Sequence, residues 1–225
     1  MYYGGGKVRL FNELCEHLAG MNIEWYLCGG FSIDAYLSDI TRKHKDIDIT
    51  VSFNDMKQCI QYLKSKGWEI DAPVGNQRLV SVEFALEHSE LYFDNIWCYK
   101  KGANFIKTEK IDGPFKYMKF INREQTELDF IEVMFNKIEN GVFYYQKNNN
   151  ITRDIYNAFI KKGEINILAP EIVLLYKSRN YENSDYQHDF DVVINRLEKE
   201  RYNWFINAMK IAYPKGHKWI EEQSK

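Results

Sequence analysis

The feature that most restricts this chain is a spaced pair of motifs, Gly29-Gly30 and Asp46-Ile47-Asp48. The pattern around them reads strand, break, helix, strand. Ile23–Leu27 is a short apolar run of strand type, Gly29-Gly30 interrupts it, and Phe31–Leu37 reads as a helix starting at that break. Asp46–Val51 (DIDITV) alternates strictly and predicts the next strand. Two glycines after a strand let the backbone approach a phosphate with no Cβ in the way. The helix N-terminus that follows offers unbonded N–H groups and a partial positive charge to an anion. Asp46 and Asp48 stand two apart, so in a strand their carboxylates share one face. Paired hard oxygen donors suit Mg²⁺, which keeps waters and phosphate oxygens as its remaining ligands. Phosphoryl-type transfer asks for little beyond positioning, in-line geometry and neutralised charge. The competing reading of Asp-x-Asp is a strand edge with two solvated carboxylates. The glycine pair at a set distance upstream, with the elements in the right order, weighs against it.

The rest of the chain predicts an α+β core followed by helices. Val8–Met21 carries Val8, Phe11, Leu14, Cys15 and Leu18 at helical spacing, and Phe53–Lys66 is a second helix that Gly67 ends. Leu79–Leu86, Tyr92–Tyr99, Leu128–Phe135 and Val142–Gln146 read as strands. Pro170 stands at a favoured first-turn position and opens a helix over Glu171–Arg179. Asp189–Lys199 and Glu200–Tyr213 read as two more. The expected division is a catalytic core over residues 1–160 and a helical C-terminal part over residues 161–225.

Composition narrows the partners. Lys and Arg number 30 against 32 Asp and Glu, so the basic excess of a general nucleic-acid binder is missing. The lysines between Lys100 and Arg123 are diluted by Glu109, Asp112 and Glu124, and read as a solvated surface. Cys15, Cys28, Cys59 and Cys98 form no Cys-x-x-Cys pair, and His17, His88 and His217 lack zinc spacing. The opening MYYGGGKVRL has no apolar core of a signal peptide, and no apolar run approaches the length of a membrane span. The expectation is a cytoplasmic protein with reduced thiols and no membrane partner, with a homodimer left open.

The run WYLCGGFSIDAYLSDITRKHKDIDI resembles the signature of the antibiotic nucleotidyltransferases. It is most similar to the group that holds the aminoglycoside 2″-adenylyltransferases and the lincosamide nucleotidyltransferases. Their pattern, W-x-x-x-GG-x-x-x-D then R-x-H-x-D-x-D, is met by Trp25, Gly29, Gly30, Asp34, Arg42, His44, Asp46 and Asp48. A broader set of related proteins resembles ILAPEIVLLYKSR, Asp189-Phe190 and the closing GHKW. The segment FYYQKNNNITRDI departs from the family: Gln146, Lys147 and Asn148 stand where relatives often have W-x-x-R-R-D.

The resemblance implies a polymerase-β-like nucleotidyltransferase fold, a mixed sheet flanked by helices, and a third carboxylate on a neighbouring strand. Glu132, Asp129 and Asp94 are the candidates. In LDFIEVMF, Glu132 is flanked on its face by Phe130 and Met134, where a carboxylate is costly without a metal or proton-transfer role. Asp129 sits at the strand start, where solvent is close. Glu132 is therefore favoured, as a metal ligand or as a general base toward the acceptor. Ser32, Arg42, His44 and Lys177 are candidate phosphate contacts beside Gly29 and Gly30; Lys177 has Asp189 as an alternative partner, and Asp34 is a candidate to orient Arg42. The implied activity moves a nucleoside monophosphate, AMP from ATP, to a hydroxyl of a small-molecule acceptor such as an aminoglycoside or a lincosamide. Two alternatives stand beside it: modification of a tRNA or protein, as in toxin–antitoxin systems of this fold, and a non-catalytic nucleotide-binding relative. The balanced charge argues against the first, the intact glycines and aspartates against the second.

Overall fold

The computed structural model describes residues 5–103, 106–121 and 125–222; Arg123 and Glu124 of the lysine-rich stretch lie outside them. Helix α1 (Gly5–Leu18) buries Leu10, Leu14 and Leu18, one residue per turn. Strand β1 (Trp25–Cys28) runs straight into α2 (Gly29–Leu37). After β2 (Asp48–Ser52), the Ser52 hydroxyl accepts the Asn54 N–H and caps a 3₁₀ turn that leads into α3 (Met56–Ser65). Strand β3 (Trp68–Pro73) has no counterpart in the sequence reading, and β4 (Leu79–Ser81) is shorter than its alternation predicts. There the Ser81 hydroxyl accepts the Phe84 N–H, so α4 (Val82–Glu87) begins where strand was expected. A serine N-cap satisfies a helix-start donor, and Val82 and Ala85, three apart, are both buried on the helical period.

Four strands follow: β5 (Asn95–Lys100), β6 (Ile106–Lys110), β7 (Lys116–Phe120) and β8 (Phe130–Glu139). Then come β9 (Val142–Tyr144), β10 (Thr152–Asp154), α5 (Ile155–Ala158), β11 (Phe159–Lys162) and β12 (Ile165–Leu168). Helix α6 (Pro170–Lys177) starts on its proline. Helix α7 (Ser184–Val193) starts earlier than Asp189, because the Asn183 carboxamide accepts the Asp185 N–H at 2.9 Å and fixes the first turn. Helices α8 (Lys199–Ala212) and α9 (Lys218–Glu222) close the chain.

These elements form two compact units, residues 1–25 with 42–135, and residues 26–41 with 136–225. In the first unit the strand order is β2-β8-β5-β3-β4-β7-β6, and β8, β5, β3, β4, β7 and β6 pair antiparallel in turn. In the second, β12 lies between β11, antiparallel, and β1, parallel, with Leu27 opposite Ile167. The end of β8 pairs with β9, and β9 with β10. Strands parallel and antiparallel, with helices around them, make the expected α+β architecture. Helix α6 is the core element of the second unit. Ile172, Leu174 and Leu175 are fully buried, and α2, α7 and α8 pack on it, the arrangement expected of a helix apolar on every side.

Glu171 on α6 is fully buried and accepts hydrogen bonds from Arg153 of β10 (2.8 Å) and Arg201 of α8 (2.6 Å). Arg153 also grips Glu200 through two nitrogens, at 2.6 and 2.7 Å. Removing one cation leaves a buried carboxylate under-compensated, which is costlier than losing a pair in water. Arg153→Met is expected to lower unfolding stability by about 3 kcal/mol. Glu200→Gln, whose side chain is 63% exposed, should cost less than about 1 kcal/mol. Urea midpoints decide; equal losses would show that Glu171 does not depend on Arg153.

Candidate active site

The first unit gathers three carboxylates. Asp46 lies just before β2 and Asp48 opens it; between them Ile47 is buried. The Ile47 carbonyl accepts the Glu132 N–H at 2.9 Å, so the backbone itself sets Glu132 of β8 beside the peptide that joins the two aspartates. One carboxylate oxygen from each of Asp46, Asp48 and Glu132 lies within 4.8 Å of the others, and all three residues are half-buried. Period-two alternation explains how β8 presents this acid: Ile131, Val133 and Phe135 fill the opposite face and are fully buried. Across β5, Trp97 stands in register with Glu132. Its ring lies 5.9 Å from Phe120 and 6.0 Å from Phe130.

Burial pushes the Glu132 carboxyl up to about 7, and the negative charge of Asp46 pushes in the same direction. Against them the Asn95 carboxamide donates a hydrogen bond to Glu132 Oε1. Three like-charged groups this close are mutually unfavourable unless a proton or a cation joins them. The donor set fits a divalent cation of the hard class, since every donor is a carboxylate oxygen and none is nitrogen or sulfur.

The other candidate acids are elsewhere or peripheral. Asp129 lines a cavity of about 310 Å³ with Arg9, Glu13, Glu16, His17 and Lys100. Asp94 is near enough for its charge to act on Glu132, and its carbonyl accepts the Phe135 N–H.

The glycine pair and Lys177 belong to the second unit. Gly29 has φ +64°, a conformation that costs little only without a Cβ. Ser32 is fully buried, and its hydroxyl donates to the Gly29 carbonyl at 2.9 Å, within the first turn of α2. Asp34 does not turn to solvent: it accepts from the N–H and the hydroxyl of Thr41, at 3.0 and 2.9 Å, and pins the loop that leads to Arg42. Lys177 pairs with buried Asp189 at 2.9 Å and lies over the Tyr186 ring. In the first unit, Arg42 donates to the Lys43 carbonyl, and His44 is buried. Gln146, where relatives differ, donates its N–H to the Tyr176 hydroxyl, which in turn donates to Asn136. Asn95 and Trp97 escaped the sequence reading. Both lie on one face of a predicted strand, but no local signal names the strand that pairs with it.

The raised Glu132 carboxyl carries a pH dependence. Between its ordinary value of 4.5 and about 7 the folded protein holds a proton that the unfolded chain has released. Its contribution to stability therefore falls as pH rises through that window and stays lost above it. Glu132→Gln has no such proton. With a chelator present, the melting temperature of Glu132→Gln is expected to gain on wild type between about pH 5 and about pH 8. Parallel curves would put the carboxyl back in the ordinary range.

The family model for aminoglycoside-2″-adenylyltransferase matches residues 10–135, more than half of the chain. A search of curated proteins gave no match. Among solved structures, the solution structure of the antibiotic-resistance factor ANT(2″)-Ia aligns with TM-score 0.54 and 12% identity, over 92% of this chain and 93% of that one. The crystal structure of ANT(2″)-Ia with adenylyl-2″-tobramycin gives TM-score 0.49 and 10% identity, over 92% and 99%. The lincomycin-bound lincosamide adenylyltransferase LnuA gives 0.46 and 14%, over 82% and 97%. The ANT(2″)-Ia solution structure speaks for the fold. The motif-bearing stretch from residue 10 to residue 135 speaks for kinship: the chain belongs to the aminoglycoside-2″-adenylyltransferase family.

Proposed function

We propose that this chain is a Mg²⁺-dependent nucleotidyltransferase that moves AMP from ATP to a hydroxyl of a small-molecule antibiotic. The observation that carries the reading is the meeting of Asp46, Asp48 and Glu132. Asp46, Asp48 and Glu132 would hold Mg²⁺, which when bound neutralises charge on the triphosphate. Gly29 and Gly30, at the N-terminus of α2, would let the backbone N–H groups approach phosphate oxygens. The acceptor oxygen would attack the α-phosphorus, the bond to the pyrophosphate oxygen would break, and the hydroxyl proton would leave to water or to a carboxylate of the group that the cation does not engage.

The test is pyrophosphate release from ATP and Mg²⁺ across a panel of acceptors that includes tobramycin, whose adenylyl-2″ derivative is bound in the ANT(2″)-Ia crystal structure, and lincomycin, bound in LnuA. Asp46→Asn and Asp48→Asn keep shape and remove charge. Each is expected to lower turnover by at least about a hundredfold with the melting temperature little changed. Near wild-type turnover in either would sink the cation assignment. ATP with Mg²⁺ is expected to raise the melting temperature, and Gly30→Val to remove that rise. A flat response to every triphosphate would favour a non-catalytic relative.

A further inference from the structure

We infer that Asn95 is the positioning residue of this carboxylate group: it fixes one oxygen of Glu132 and thereby turns the other toward the shared cation. The inference rests on the proposed reading of Asp46, Asp48 and Glu132 as a cation site. Asn95 opens β5, in register with Met134, and Trp97 is in register with Glu132. Asn95 therefore sits diagonally across from Glu132 on the same face, within side-chain reach. Its Nδ2 donates to Glu132 Oε1.

The choice of side chain follows from electrostatics. Glu132 lies within 4.8 Å of two other carboxylate groups, and repulsion between like charges drives it away from them. A lysine or arginine at position 95 would hold it but would also compete with a bound cation. An aspartate would add a further negative charge. A carboxamide supplies a donor with no net charge, so it restrains the ligand without altering the charge balance of the site. Hydrogen-bonded partners of metal ligands typically govern affinity by ten- to hundredfold.

Mn²⁺ binding to the full chain, without nucleotide and followed by electron paramagnetic resonance, tests the inference. Asn95→Leu has similar size and no donor, and is expected to weaken Mn²⁺ binding about ten- to hundredfold. Asn95→Gln, which keeps the amide, should recover most of that loss. Asn95→Ala serves the same comparison where the leucine variant fails to fold. Wild-type affinity in the donor-free variants, or an equal loss in Asn95→Gln, overturns the role of Asn95. Asp48→Asn is the control. If Asp48→Asn loses Mn²⁺ while Asn95→Leu does not, only the inference about Asn95 fails. If Asp48→Asn also binds Mn²⁺ normally, the cation-site reading fails with it.

Discussion

A single backbone hydrogen bond, from the Glu132 N–H to the Ile47 carbonyl, governs the candidate site. It ties β8 to the residue between Asp46 and Asp48, and so brings together acids that are far apart in sequence. The arrangement is costly: burial and the charge of Asp46 both disfavour an ionised Glu132. Sheet register enforces the proximity, because shifting β8 by one residue would turn Glu132 to the other face and expose Ile131, Val133 and Phe135. The hydrophobic face of β8 thus holds Glu132 beside the two aspartates against their mutual repulsion.

The second unit handles charge differently. Glu171 is buried as deeply as any residue in the chain, yet two arginines meet it, and Asp189 is buried against Lys177. These acids carry internal counter-ions and serve to join β10, α6, α7 and α8. Buried acids with protein cations beside them read as structure. In the conformation seen, Lys177 pairs with Asp189, the Ser32 hydroxyl donates to the Gly29 carbonyl, and Asp34 accepts from Thr41.

Local patterns fail where a cap outweighs them. Alternation over Leu79–Leu86 predicts one strand, yet the Ser81 hydroxyl starts a helix inside it. The Asn183 carboxamide likewise moves the start of α7. In both places a short polar side chain satisfies a helix-start N–H, and that local bond decides where the backbone turns. Strands β3, β6 and β7 lacked a strong period of their own and are defined by the partners they pair with.

The sequence by itself determined the strand, break and helix around the glycine pair, and the face that Glu132 takes on β8, opposite Ile131 and Val133. All of these follow from the fixed period of a strand and from the missing Cβ of glycine, which are properties of neighbouring residues. Only the tertiary structure decided that the Glu132 carboxylate meets the aspartates, that Asn95 binds it, and that Lys177 spends its charge on Asp189. Those outcomes depend on which strands pair, in what register, and on which charges are buried together. Such choices are made between distant segments by hydrogen bonding and apolar burial, and no local spacing encodes them.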